Sequence, residues 1–582
     1  MLPSVISLIS LCGRSATSWA ERMTQEAAKP GRWPQYLPVV GVVAGFLLVI
    51  GPLLATLLRS LLVFEGDDAR LSLDHFIRIF KDPAIHAALG NTLICGLATT
   101  FFSLILGFSL AWLVARTDMP GRQWFEVGNL IPFFLSPYVG AISWIYLAAP
   151  NSGLAINFFK DHFGVDLSFI NIYSLPGVIW VLTIFYTPYV YLFVIAPLRR
   201  MDAALEDAAR VHGAGFWFTL RHVTLPLLSP ALLSGALVVF VTSAGLFDVP
   251  LALASPSGIR TMPTEIFASV QYPSDFGRAA AFGVIVLCVT VLLALWQRRY
   301  LAGRRYETVT GKGYRPRLLA LGPWGRLAAL IFQCFYIGIG VILPTIALVL
   351  VSLTRLWTGR FDPARASLVN YEYVLFNYQL TQQAIINSLI LAVVGATLGV
   401  GLSVLQAYYL NRGAPGRRSF ADAVLSLPLG IPGIILGLGF LILAVRTPLY
   451  STLTIVLIAY IARFFPFATR TISAMFGSLN PELEQSARAA GASWAETLRH
   501  IILPLLRPAL IAAWIMLFVI FIRELGATIL LYAQGTETIS VVLVVLSDRS
   551  FGYAAALAMV QLLLLLGAFA IMRATKTSIV QS

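Results

Sequence analysis

Two polar stretches carry acidic residues at matching positions, and they are the first candidates for a chemical role. One reads EDAARVHGAGFWFTLRHVTLPLLSPAL from Glu206, and the other reads EQSARAAGASWAETLRHIILPLLRPAL from Glu484. Of the 27 aligned positions 16 are identical at a constant offset of 278 residues, whereas about one or two identities are expected by chance. A polar segment that occurs twice in an apolar chain indicates that the segment recognises another surface through charges and hydrogen bonds.

Local signals in the second copy predict a short helix, a glycine turn and another short helix. Asn480 is a good N-cap, and the first helix ends at Gly491, a position that needs a positive φ. Ser493 and Glu496 have the spacing of a capping box that opens the second helix. The first copy repeats this plan.

We name the repeats the first hook, residues 202–226, and the second hook, residues 480–504. Each is predicted between the fourth and fifth of six apolar spans, on the same side of a membrane. An ordinary interfacial connector is the alternative, but two copies at equivalent places favour a docking role. Two hooks related by a twofold axis suit a dimeric partner.

The elements that must position the hooks are membrane-spanning helices. The chain has 582 residues, of which 58% are apolar and 12% charged, and its mean hydropathy is +0.82. Apolar runs of about 20 residues recur along it, long enough to cross a bilayer. These runs are continuous and do not alternate, which excludes a β-barrel. The net charge of +14 is spread over short loops, as the positive-inside rule requires, so nucleic acid is not a predicted partner.

The fold class is therefore an all-α polytopic membrane protein with about twelve spans in two parallel six-helix repeats. Both termini are predicted in the cytoplasm, because most basic residues then face inward. The spans are placed, within a few residues, at roughly 37–63, 88–115, 125–149, 173–197, 225–253 and 279–297, then 325–354, 386–411, 420–445, 449–473, 506–533 and 553–573.

Further matches extend the repeat beyond the hooks. The sequence NTLI at Asn91 matches NSLI at Asn387, and YTP ending at Pro188 matches FFP ending at Pro466. The predicted domains are a cytoplasmic N-terminal tail (1–36), a first half (37–297), a cytoplasmic linker (298–324), a second half (325–573) and a C-terminal tail (574–582).

Three charged residues, Arg463, Arg523 and Glu524, are predicted within spans, where charges are costly and usually face the bundle interior. One interpretation places them along a transport pathway or its outer gate. The other makes them structural ion pairs between spans, for instance Glu524 with Arg463. Asp248 is expected to cap the outer end of the fifth span.

The residues do not indicate a catalytic or metal centre. All six histidines are predicted in loops or hooks, and no cluster with ligand spacing lies in a span. The stretch TGKG at 310–313 lacks the first glycine of a phosphate-binding loop and follows no strand. The chain is therefore expected not to be an enzyme and to hold no cofactor.

With these motifs, the chain resembles the fused permease subunit of a type I ABC importer over nearly its whole length after residue ~36. The family's cytoplasmic loop has Glu-Ala-Ala, three residues, Gly, nine residues, then Ile-x-Leu-Pro. The family's glutamate position holds Asp207 here in one hook and Gln485 in the other, which leaves open which acidic residue meets the ATPase. The resemblance implies these ATPase-coupling residues: Glu206, Asp207, Ala209, Gly213, Pro226, Glu484, Gln485, Ala487, Gly491 and Pro504.

The resemblance also implies partners and a location. Two copies of a cytoplasmic ABC ATPase, which hold ATP and Mg, would each grip one hook and rock the two bundles. A periplasmic substrate-binding protein would deliver cargo to the outer face. The location implied is the bacterial inner membrane, with the lipid bilayer around the spans.

The cargo is indicated by two further stretches of the sequence. The linker YETVTGKGYRP and the late stretch RELGATILLYAQGTETISVVLV are similar to ferric-iron importer permeases of the fused type. Thiamine, aminoalkylphosphonate or another small solute remains an alternative within the same architecture. A secondary transporter with parallel repeats is the alternative from another class, but it would need ion-coordinating groups near the midplane, and the chain has few.

Overall fold

The computed structural model describes residues 36–65, 68–302 and 318–574. The predicted N-terminal tail, most of the linker and nearly all of the C-terminal tail lie outside the described residues.

The first half contains five long helices with shorter elements between them. The long helices are Tyr36–Leu61, Pro83–Arg116, Leu175–Arg200, Phe216–Ala244 and Phe276–Ala302. An antiparallel hairpin joins Leu62–Glu65 to Asp68–Leu71. The shorter helices are Asp74–Lys81, Arg122–Gly128, Ile131–Phe134, Pro137–Ala148, Leu154–Phe163, Ala203–Val211, Asp248–Leu253 and Met262–Val270.

The second half repeats this order. Its long helices are Gly322–Ser352, Gln379–Arg412, Leu453–Gly477, Trp494–Ile522 and Phe551–Ala574. Its shorter helices are Val369–Glu372, Pro415–Leu425, Gly433–Ala444, Glu482–Ala489, Thr528–Leu531 and Ile539–Arg549.

The third span of each half is broken, which the apolar pattern did not predict. In the described residues ten helices can cross a membrane, and two bent pairs bring the number to twelve. The bends are 95° after Phe133 and 102° before Gly433. Prolines explain both breaks, because Pro137 and Pro432 have no N–H to continue a helix and force extended backbone on the residue before them.

The fifth spans end earlier than predicted. Their helices stop at Ala244 and Ile522, so the expected ends at 253 and 533 were wrong. Each half then adds two short helices before the sixth span. They are Asp248–Leu253 and Met262–Val270 in the first half, and Thr528–Leu531 and Ile539–Arg549 in the second.

The matched NTLI and NSLI motifs hold these inserted segments in place. The Asn91 side chain donates to the carbonyl of Arg260 at 2.9 Å, and Thr92 accepts from the Met262 N–H at 2.8 Å. In the second half Asn387 donates to the carbonyl of Glu537 at 2.9 Å, and Ser388 accepts from the Ile539 N–H at 2.9 Å. The two halves therefore share buried contacts as well as helix order.

The first span of each half packs against the other half. Tyr36–Leu61 contacts Gly433–Ala444 and Gln379–Arg412, and the Gln406 side chain donates to the Gly41 carbonyl at 3.2 Å. Conversely, Tyr336 donates from its hydroxyl to the Ile184 carbonyl at 3.0 Å. The two halves are thereby interlocked.

Candidate functional site

Both hooks have the predicted helix–glycine–helix geometry. Their first helices are Ala203–Val211 and Glu482–Ala489. The turn glycines have positive φ, +82° at Gly213 and +90° at Gly491, as predicted. A Cβ at either glycine would meet no atom within 4 Å, so backbone conformation and not space requires glycine there.

The capping prediction is confirmed in the second hook. The Ser493 hydroxyl accepts from the Glu496 N–H, and the Glu496 carboxylate accepts from the Ser493 N–H at 2.7 Å. The Ser493 hydroxyl also donates to this carboxylate at 2.7 Å, and this bond, together with that from the Ser493 N–H, holds the pKa of Glu496 below its usual value. In the first hook the equivalent positions are Gly215 and Phe218, which cannot form this box.

The second helix of each hook runs directly into the fifth span, so Pro226 and Pro504 lie inside continuous helices rather than at their start. A turn of π-helix precedes each proline, at Leu220–Thr224 and Leu498–Ile502. The wider turn fits a residue that has no N–H and whose ring crowds the preceding turn.

An ion pair attaches each hook to the C-terminal end of the second-span helix. Glu206 lies 3.5 Å from the Arg116 guanidinium, and Glu484 lies 2.7 Å from that of Arg412. These arginines were not among the predicted site residues. The signal was available, since Arg116 and Arg412 have the same offset of 296 residues as Asn91 and Asn387.

These ion pairs distinguish the two neighbouring polar residues at the start of each hook, which the sequence did not. Glu484 is 7% exposed and points toward Arg412, whereas Gln485, beside it, is exposed. In the first hook Glu206 and Asp207 are both half-buried. Ala209 and Ala487 are half-buried on the same helices. The glutamates therefore orient the hooks from within, and Gln485 presents its side chain outward.

A second feature is a cavity of about 100 Å³ between the two halves. Its walls come from equivalent elements of both halves: the breaks of the third spans, the fourth spans and the ends of the fifth spans. The polar lining residues are Tyr186, Tyr189, Thr242, Asp248, Arg463, Arg523 and Glu524.

The three predicted pathway candidates, Arg463, Arg523 and Glu524, all line this cavity. Two of them lie outside the helix in which they were predicted. Arg523 and Glu524 follow the end of the helix at Ile522, so their placement within a span was wrong. Arg463 and Glu524 form an ion pair, and Glu524 also accepts from the Ala527 N–H at 3.0 Å. Arg523 donates to the Leu135 carbonyl at 3.0 Å. The predicted pair of Arg463 with Glu524 is therefore present, and all three residues line the cavity.

Asp248 is the fourth charged residue of the cavity, and the predicted capping role is wrong. It lies in the first turn of Asp248–Leu253, and its side chain caps no helix. It is 5% exposed, and Oδ1 has no hydrogen-bond partner among the described residues. Sequence reasoning missed it because the apparent span continued past it.

Charge distribution breaks the symmetry of the cavity. At the 278-residue offset, Arg463, Arg523 and Glu524 correspond to Phe185, Gly245 and Leu246 of the first half. Gly433 packs on the Arg463 guanidinium, which a Cβ at that position would overlap. The second half therefore supplies three charges, and the first supplies aromatic rings and Asp248. Within the described ranges no group of three or more His, Cys, Asp or Glu residues could hold a metal ion.

The sequence matches the family model for the binding-protein-dependent transport system inner membrane component twice, over residues 100–306 and 399–576. It is 25% identical over 503 residues to the putative ferric transport system permease protein FbpB 1 of Haemophilus influenzae, covering 84% of this chain and 77% of that protein. It is 24% identical over 523 residues to the ferric transport system permease protein FbpB of Actinobacillus pleuropneumoniae, covering 88% and 74%.

A shorter relative aligns with less than half of the chain. The molybdenum transport system permease protein ModB of Escherichia coli is 28% identical over 227 residues, which cover 38% of this chain and 96% of that protein. The two copies of the family domain agree with the twelve spans and the two equivalent hooks of the structure. The chain belongs to the family of inner membrane components of binding-protein-dependent transport systems, as an ABC importer permease with both halves fused.

Proposed function

We propose that this chain is the permease subunit of an ATP-driven importer of ferric iron in the bacterial inner membrane. The observation that carries the cargo is the alignment with relatives named for ferric transport, which extends across both halves and 84–88% of the chain. In this assignment ATP and Mg are bound by a separate ATPase, and a periplasmic protein delivers the iron.

Each hook engages one of two ATPase subunits. Exposed side chains on the hooks supply the contact surface, Trp217 in the first and Gln485 in the second. The buried pairs at Glu206 and Glu484 transmit movement of a hook to the second span. Closure of the ATPase dimer on ATP then rocks the two halves about the cavity between them.

The cargo is tested by reconstitution. Proteoliposomes with this chain, its ATPase and its binding protein should accumulate labelled Fe³⁺ only when ATP and Mg²⁺ are inside with the ATPase. Uptake of thiamine or an aminoalkylphosphonate in place of iron would move the assignment to that solute. Uptake driven by an ion gradient without ATP would contradict the transport class.

The membrane orientation has its own test. Single cysteines at the exposed positions Trp217→Cys and Ala495→Cys should resist an impermeant thiol reagent in intact cells, and Arg260→Cys and Arg365→Cys should react. The parent protein, in which Cys12, Cys95, Cys288 and Cys334 are replaced by serine, is the control. Labelling at only one of the two hooks would show that the halves are inverted relative to each other.

A further inference from the structure

We propose that Asp248 is the carboxylate that contacts a cationic cargo as it passes between the two halves. The inference rests on the proposed function and names the residue that carries it out. A carboxylate that is 95% buried needs either a partner or a ligand. Oδ1 of Asp248 has no protein partner, and the residue lines the central cavity.

The other three charges of the cavity are already engaged. Arg463 and Glu524 pair with each other, and Arg523 donates to the carbonyl groups of Phe133 and Leu135. Among the residues the structure describes, Asp248 has no ion pair within 4.0 Å. A cation that enters the cavity therefore meets one negative group whose charge is not compensated by direct contact.

Oxygen donors around Asp248 suit a hard cation. The cavity is also lined by Tyr186, Tyr189 and Thr242, whose side chains carry hydroxyl groups, and oxygen ligands are those that hard cations prefer. One free carboxylate and hydroxyl groups make a weak site compared with a full set of charged ligands. Weak binding is what passage requires, because cargo held tightly in the pathway would not leave.

Two nearby arginines keep the site from becoming a resident metal centre. Arg463 pairs with Glu524, and Arg523 lines the same cavity, so the cavity has two positive and two negative side chains in total. Only Asp248 comes from the first half. Relative movement of the halves therefore changes the distance between Asp248 and the arginines, and with it the affinity for a cation.

Asp248→Asn tests the proposal, because the amide keeps the size of the side chain and removes its charge. In reconstituted transporter, uptake of Fe³⁺ delivered by the binding protein should fall by roughly tenfold or more, while ATP hydrolysis stimulated by the binding protein continues. Asp248→Glu, which retains the carboxylate, should recover part of the uptake. Asp422→Asn changes a half-buried aspartate that is paired with Arg470 at 2.9 Å and does not line the cavity. It is the matched control and should transport normally.

Each outcome decides between the proposals. Fe³⁺ uptake by Asp248→Asn at the wild-type rate would overturn the role of Asp248 and leave the proposed function standing. Loss of uptake and of ATP hydrolysis together, with normal assembly, would assign Asp248 a structural role and overturn the inference as well. Failure of the wild-type transporter to import Fe³⁺ would instead refute the proposed cargo.

Discussion

The two hooks share one backbone plan but are attached to the membrane helices with different side chains. In both, the residue after the turn glycine donates its N–H to a carbonyl five residues earlier, at 3.0 Å. An aromatic pair also recurs, Trp112 with Phe216 in the first half and Tyr408 with Trp494 in the second. The fold thus conserves the path of the chain, and the differences lie in what holds each acidic residue.

The second hook is held more tightly. Glu484 accepts from Arg412 at 2.7 Å and from the Tyr408 hydroxyl at 3.3 Å. Glu206 accepts from Thr224 at 2.9 Å, and its arginine is farther away, at 3.5 Å. The Arg116 guanidinium makes no hydrogen bond in the described part of the chain and borders a cavity of about 500 Å³. The two equivalent hooks therefore differ in how rigidly they are attached to the second spans.

The largest effect is expected where the hooks are alike. In Gly213→Val with Gly491→Val, each valine is forced toward positive φ at a cost of about 1–2 kcal/mol, which tilts both hooks. Uptake and ATPase co-purification should be lost, although membrane abundance stays near normal because the spans are untouched. Cargo uptake and ATP hydrolysis in proteoliposomes measure this. Full uptake by the double variant would reduce both hooks to connectors.

Replacing the arginine that pairs with each hook should distinguish the two hooks. Arg412→Ala leaves Glu484 buried and uncompensated, at a cost of about 3–5 kcal/mol. Arg116→Ala should cost less, about 1–3 kcal/mol, because Arg116 lies farther from its glutamate and Glu206 is less buried than Glu484. Thermal unfolding of the purified transporter and its stimulated ATP hydrolysis should both fall further in Arg412→Ala. Equal losses would show that the difference in distance has no energetic meaning.

A smaller effect is expected from the tyrosine hydroxyl. Tyr408→Phe removes bonds to Glu484 and from Arg488, a loss of about 0.5–1.5 kcal/mol. The matched variant Trp112→Phe keeps an aromatic ring in the first hook and deletes no such bond to its glutamate. Stimulated ATP hydrolysis should therefore fall more in Tyr408→Phe, and a greater effect of Trp112→Phe would reverse the predicted order.

The smallest effect concerns pH and only the second hook. The folded-state pKa of Glu496 is lowered, so its capping contribution is present above its unfolded pKa and is lost as pH falls through the folded value. At neutral pH, Glu496→Ala should speed amide hydrogen exchange after Ser493, and the difference from wild type should vanish in acid. The first hook, with Phe218 at this position, is the internal control. A difference that persists in acid would exclude the carboxylate as its cause.

Sequence alone predicted the features that depend on a few neighbouring residues. The positive φ of Gly213 and Gly491 and the capping box at Ser493 follow from local backbone geometry, and all are confirmed. The twelve spans follow from hydropathy. The pair of Arg463 with Glu524 was one of two open interpretations.

Features that depend on distant partners were not predictable in this way. Hydropathy continues through residue 253 and through Arg523, so it could not show where the fifth helices end. The role assigned to Asp248 failed for this reason. Arg116 and Arg412 were overlooked because a basic residue at the end of a span is ordinary, and only the fold places a glutamate beside each.

The interlocked first spans have a consequence for biosynthesis. Tyr36–Leu61 enters the membrane early, but Gly433–Ala444, against which it packs, lies about 370 residues later in the chain. At ~5–20 residues per second, a ribosome needs roughly 20–70 s to cover that distance. During this interval the buried face of the helix, including Gly41 and Gly45, contacts lipid or a membrane chaperone, and the first half cannot complete its packing before the second is made.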